Sequence, residues 1–305
     1  MTDRIVAIGG GHGLARTLEA LVHLARRPTA IVTVADDGGS SGRLRQQHGI
    51  VALGDMRMAL ESLAGDRDLA DLFEHRFADG ELRGHAVGNL ALLALVERHD
   101  GDVVAAVAAA ARLLGCQGAV VPCTTDDVTL VAEVDGAPVE GQVAIQTTPG
   151  RHRAVWLEPR DPAACPAAVA AIEAADVVLL GPGSLYTSIV PNLLVPGIRA
   201  ALERSQARLA YVANLTGQLG ETGGMDLQDH VDVLCAHLPT AASLTVVAHR
   251  GPAPRGSGAP LGVAVDHPQV AAVIADDLAA RREDGTVVAA HDPAQLAKAL
   301  HQLEA

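Results

Sequence analysis

Aromatic side chains are nearly absent: two Phe, two Tyr and one Trp make up 2% of 305 residues. A core of this size must then be built from Ala, Val and Leu. There is no block of Lys or Arg, and the net charge is −13. That excludes a general nucleic-acid-binding face. It leaves room for a small anionic ligand, because loop amides and a few Arg side chains make a local positive site. No CxxC pair occurs, and Cys116, Cys123, Cys165 and Cys235 are widely spaced, which reads as reduced structural thiols in a cytoplasmic protein. The N-terminus runs straight into a strand, so no signal peptide is expected. The longest apolar stretch, Val103 to Gly115, contains Arg112 and is too short to span a bilayer. Internal repeats, low-complexity linkers and heptads are also missing.

What remains is 49% hydrophobic and alternates between β-branched runs and Ala/Leu runs. This alternation predicts a parallel sheet covered by helices, long enough for one large core. Arg4 to Ile8 reads as a strand, and Leu14, Leu18, Leu21 and Val22 fall at helical spacing after it. Ala30 to Ala35 is the second strand of a βαβ start. Between Ala119 and Leu157 the texture changes to short strands (120–122, 128–134, 143–145, 154–157) broken by Asp135-Gly136, Gly141 and Pro149-Gly150. We expect a small antiparallel β insertion over 119–157. Further strands are expected at 176–180, 208–213, 243–248 and 262–265, and a closing amphipathic helix at 293–303. Gly251 to Pro260 is expected to be a surface loop.

The chemistry is concentrated in loops after strands. The densest is Asp36-Asp37-Gly38-Gly39-Ser40-Ser41-Gly42-Arg43. Glycines let the backbone approach a ligand, and hydroxyls and a guanidinium donate to phosphate. Asp36 and Asp37 suit a divalent cation or a sugar hydroxyl. Gly9-Gly10-Gly11-His12-Gly13-Leu14 lies between strand and helix, the arrangement that aims helix amides at a phosphate. It is neither a Walker A loop nor a GxGxxG fingerprint, since Leu14 or Arg16 stands where the third glycine belongs. Asp36 nevertheless sits where a ribose-binding acid would, which keeps NAD as a minor alternative. Asp55 either caps the following helix or joins Asp36 and Asp37 at one rim with Arg57. His85, between glycines at a helix start, and Asn89 face a ligand or serve the fold equally well. Gly181-Pro182-Gly183-Ser184-Leu185-Tyr186-Thr187-Ser188 is a third glycine loop, and its Ser184 lacks the context of a nucleophile elbow. Asn214 opens a fourth polar loop with Thr216, Gln218, Glu221 and Thr222. None of these loops shows a nucleophile–base pair in the sequence, and no residue is assigned a catalytic role.

The ordered series GGGHGL, VTVADDGGSSGRLR, GDMR, GHAVGNL, GPGSLYTSIVPNLLVPGI and NLTGQLGET resembles the YvcK-type proteins, part of the larger family that includes the CofD-type 2-phospho-L-lactate transferases. The resemblance covers nearly the whole chain. It implies a Rossmann-like three-layer α/β/α fold, with a mainly parallel sheet and the small antiparallel insertion, as one CofD-like domain over 1–305. It also implies a cytoplasmic protein that binds UDP-N-acetylglucosamine and regulates cell shape and central carbon metabolism during gluconeogenic growth. A homodimer and a regulatory protein partner are the macromolecular partners in view. The alternative it implies is a Mg²⁺-dependent transferase of a phospholactyl-type group from a nucleotide carrier. On either reading the three glycine loops, Asp55, Arg57, His85, Asn89, Asn192 of the PNLL segment and Asn214 line the ligand site. Asp36 and Asp37 are the candidate metal ligands, and Mg²⁺ is the one cofactor in view. The chain departs from the family pattern at His12, Met58-Ala59, Gly223, Met225 and Ala290.

Overall fold

The chain enters the fold through β1 (Ile5–Gly9), buried at all five positions, as a strand with helices on both faces must be. The computed structural model describes residues 4–150, 152–252, 254 and 258–304. After β1 come α1 (Gly11–His23), β2 (Thr29–Val32), α2 (Gly39–His48), α3 (Gly54–Leu63), α4 (Arg67–Glu74), α5 (Val87–Arg98), α6 (Val103–Leu113) and β3 (Ala119–Pro122). The middle of the chain forms β4 (Thr129–Val134), β5 (Ala137–Glu140), α7 (Gln142–Thr147), β6 (His152–Glu158), α8 (Pro166–Ala174) and β7 (Val177–Leu180). A π-helical turn over Leu185–Ile189 runs into α9 (Val190–Leu193), followed by α10 (Pro196–Arg204) and β8 (Arg208–Val212). The last third holds α11 (Leu227–His237), β9 (Leu244–His249), β10 (Val270–Asp276), β11 (Ala279–Arg281), β12 (Val287–His291) and α12 (Pro293–His301).

Seven strands make one parallel sheet in the order β10-β9-β8-β7-β1-β2-β3. From the central β1–β7 pair the chain builds outward in both directions. A crevice therefore opens beyond the carboxyl ends of β1 and β7, where connections leave toward opposite faces. The core is aliphatic: Ile8, Ile31, Leu14, Leu18, Leu21, Met56, Leu60 and Leu63 are essentially buried. The largest fully buried side chain is Tyr211, whose hydroxyl lies 3.1 Å from His230 Nδ1. Among the described residues no single helix is long and apolar enough to cross a membrane.

Two smaller sheets are antiparallel: β5-β4-β6 and the β11–β12 hairpin. Three expectations need correction here. β3, grouped above with the insertion, pairs in parallel with β2 at the edge of the main sheet, so the antiparallel excursion begins only at β4. Residues 143–145, expected as strand, lie in α7. Gly141, at φ 92°, breaks the strand, and the Asp37 carboxylate takes the Val143 amide at the helix start. Residues 262–265 form no strand; β10 takes the free edge of β9 instead. Of the expected surface loop at 251–260, residues 253 and 255–257 lie outside the described residues.

Candidate functional site

A helix start leaves amide groups without intrahelical partners, and a side-chain cap ordinarily takes one of them. At four helices this is what occurs: Asp66, Asp102, Asp226 and Asp292 cap α4, α6, α11 and α12. The N-caps of α1, α2, α3 and α5 are Gly10, Gly38, Leu53 and Ala86, and none makes a side-chain cap bond. At the glycine loops this leaves donors available to a ligand where the dipoles favour negative charge.

The first and third glycine loops meet. Gly13 lies so close to the Pro182 carbonyl that any Cβ there would collide with it. Asn214 fastens the third loop from β8: its Oδ1 accepts the Gly183 amide at 2.8 Å and its Nδ2 donates to the Gly183 carbonyl at 2.7 Å. Asn192, fully buried, donates to the carbonyls of Gly9 at 3.2 Å and Ser188 at 2.8 Å. Leu14 packs under Gly9 and Gly181. These residues shape the loops from beneath. Above them is a cavity of about 590 Å³, walled by His12, Gly13, Arg16, Pro182–Gly183, Asn214–Leu219 and Ala289–His291. No Asp or Glu is among its described lining residues, in a chain of net charge −13. Arg16 lines it while paired to Glu19 at 2.7 Å. His291, at its wall, lies 3.2 Å from the Ala213 carbonyl, and burial lowers its pKa to about 4.

The second loop builds the neighbouring wall. Asp36 accepts the Gly38 amide at 2.9 Å and is bonded to the Ser41 hydroxyl, and burial raises its pKa above the usual carboxylate range. Asp37 is committed elsewhere: its Oδ1 accepts Val143 N–H at 2.9 Å, which ties α7 to this loop. Asp55 is not the cap of α3 but lies at its second helical position, buried against Gly10. Its Oδ2 has no hydrogen-bond partner, and burial and then the Asp36 carboxylate push it up to about 7. Asn89 donates to Ser40 Oγ at 3.0 Å, and the same hydroxyl lies 3.0 Å from His85 Nδ1. Burial and then Arg43 lower the His85 pKa. The sequence showed no nucleophile–base pair; the fold makes a hydroxyl–imidazole contact across 45 positions. Arg43, exposed, donates to the Arg83 carbonyl at 2.9 Å.

Arg57 departs from the others. It is buried between α3 and α5, and its guanidinium is held by Glu61 at 2.5 and 2.6 Å. Tyr186, Thr187 and Ser188 are buried in the π-helical turn, with Thr187 and Ser184 receiving the Gln146 amide at 2.8 and 3.3 Å. Two residues that the motifs did not single out as ligands are Glu221 and His152. Both are buried and keep an unpartnered polar atom. A Glu inside a Gly/Thr-rich loop was a usable signal for the first; nothing in the sequence marks the second.

The chain matches the family described as 2-phospho-L-lactate transferase CofD over residues 5–298. A Mycobacterium tuberculosis protein is 48% identical over 270 residues, covering 84% of this chain and 79% of that one. The Gluconeogenesis factor of Listeria monocytogenes is 42% identical over 239 residues, covering 77% and 74%. A solved structure of a UPF0052-family protein from Bacillus halodurans superposes with a TM-score of 0.89 at 34% identity, covering 97% of this chain and 99% of that one.

Proposed function

The chain belongs to the CofD family, and from that membership we propose that it is a cytoplasmic nucleotide-sugar-binding protein. Its ligand is UDP-N-acetylglucosamine, and its role is to regulate cell shape and central carbon metabolism under gluconeogenic growth. One observation carries the binding reading: a cavity without a lining carboxylate lies where two uncapped glycine loops meet, in a strongly acidic chain. A diphosphate fits the amides of Gly11 to Gly13 at the start of α1, and Asn214, Thr216 and Gln218 offer polar groups to the nucleoside or the sugar. The test is a thermal-shift and calorimetry panel with UDP-N-acetylglucosamine, GDP, GTP and NAD, each with and without Mg²⁺. At one hundred times its dissociation constant the right ligand adds about 2.7 kcal/mol of stability. We expect that shift with the UDP-sugar, reduced in Arg16→Ala. A shift with a guanine nucleotide and none with the UDP-sugar would sink the proposal.

A separate observation favours a second reading, transfer of a phosphorus-containing group. Asp55, pushed up to about 7, sits beside Asp36, and the same wall carries the Ser40–His85 contact. Among the described residues no three His, Cys, Asp or Glu side chains converge as a metal site. The orphaned Asp55 Oδ2 and the buried Asp36 carboxyl fit a Mg²⁺ that also leans on phosphate oxygens, with Asp55 taking the part assigned above to Asp37. Such an ion would neutralise charge on the phosphate. Metal-dependent turnover of a nucleotide substrate, lost in Asp55→Asn, would establish this reading.

A further inference from the structure

A second cavity, about 840 Å³, lies on the far side of the loop after β8. Its walls come from β6, the turn Leu185–Ile189, residues 221–225 and α11, and it shares no lining residue with the cavity above the glycine loops. Two of its titratable lining side chains are more than nine-tenths buried, Glu221 at 5% exposure and His152 at 7%. Glu221 accepts the Tyr186 amide at 3.0 Å through Oε1, while Oε2 has no partner. His152 Nε2 lies 3.2 Å from the Ile145 carbonyl. A carbonyl only accepts, so Nε2 carries a proton; in the neutral ring Nδ1 then presents a lone pair, and it has no partner. The His152 ring is stacked on Tyr186, 5.5 Å between centroids, which fixes its plane.

Leaving a buried acceptor without a donor costs the full desolvation of that group. Two orphans on one cavity wall are therefore a signature of a missing donor. The rim decides the charge of that donor. Asp229 uses one oxygen on the Asp226 amide and Asp232 one on Gln228, leaving an oxygen on each. Among the described residues, they and Glu221 set three carboxyls against one guanidinium, Arg153. An anion is disfavoured here, in contrast to the neighbouring cavity. Burial holds Glu221 at about 7, so an approaching cation would draw it into its ionised form.

We propose that this second cavity binds a small cationic amine, whose N–H groups are taken by Glu221 Oε2 and His152 Nδ1 and whose charge is balanced at the rim by Asp229 and Asp232. The experiment is calorimetric titration of the full chain with putrescine, L-lysine and glucosamine as amine probes. Glycerol serves as a neutral donor and inorganic phosphate as an anion. At least one amine should bind saturably at one site, and glycerol and phosphate should not. Glu221→Gln, which keeps the side-chain shape, should weaken the amine tenfold or more. Asp232→Asn, at an exposed position, folds regardless and should weaken it several-fold. The UDP-sugar thermal shift should be unchanged in Asp232→Asn, which separates this site from the nucleotide reading. Saturable heat with none of the amines, glycerol binding as tightly as an amine, or both variants binding like the parent would each overturn the proposal.

Discussion

Asp55 is where the charge balance of the glycine-loop site turns. Held at about 7 against an ordinary 3.8, it keeps a proton in the folded chain that the unfolded chain has released. Stability is therefore lost as pH rises from about 4 through 7, by at most about 1.4 kcal/mol per unit. Asp55→Asn removes that cost while keeping the shape and an acceptor for the loop amide. We expect the variant to be more stable than the parent by about 1–3 kcal/mol at pH 8 and to converge on it near pH 4, read by urea unfolding. A variant less stable at pH 8 would show that the carboxylate is well satisfied in the fold. At this scale the sequence was only partly legible. Spacing left Asp55 as cap or carboxylate, because the deciding neighbour, Gly10, is remote in the chain. That Asp37 also takes the Val143 amide, 106 positions away, is equally invisible in its spacing. Arg57 was more readable: Glu61 stands four residues on along one helix, the spacing of an ion pair. His152 owes its significance to burial and an unpartnered atom, neither of which composition or spacing encodes.

Helices and strands carried the clearest signals. β1, β7 and β8 are aliphatic or β-branched runs ending in glycine or asparagine, and periodicity placed them. α7 was missed because Val143-Ala144-Ile145 has the texture of a strand, and the carboxylate that starts the helix comes from elsewhere. β10 was missed because an edge strand half open to solvent, rich in alanine, lacks the continuous β-branched run that marks a buried one. The uncapped helix starts could be read as glycine loops, but their convergence depends on contacts between elements. Gly13 is the sharpest of these. Gly13→Ala would drive a methyl into the Pro182 carbonyl and part the loops of α1 and β7. We expect a loss of about 1–3 kcal/mol from overpacking, together with loss of the UDP-sugar thermal shift. Gly11→Ala is the control, since its Cβ meets nothing within 4 Å although its φ is +60°. It costs backbone strain alone and should leave the loops in contact. A thermal shift retained in Gly13→Ala would show that loop contact is not what binding requires.

Across the whole molecule, the parallel sheet was legible from the alternation of apolar textures, whereas strand order was not. No local pattern tells β7 to return beside β1, yet that return creates the crevice. The same packing sets four buried titrating groups against one another. Burial raises Asp55 and Glu221 to about 7 and lowers His230 and His291 to about 4. As pH falls from about 6.5 toward 4, the carboxyls take up protons that the fold already favours, which stabilises. Over the same window the unfolded imidazoles bind protons that the folded ones refuse, which destabilises. The two contributions run in opposite directions and largely offset each other in the parent chain. Asp55→Asn/Glu221→Gln removes the carboxyl half and leaves the imidazoles unopposed. Its stability should then fall on acidification below about pH 6.5 more steeply than the parent's, by up to about 2.7 kcal/mol per pH unit for two groups. Exposed groups titrate alike in both proteins, so the difference between their urea-unfolding profiles from pH 8 to 4.5 isolates the buried set. Parallel profiles would mean that the buried carboxyls do not carry their protons into the folded state.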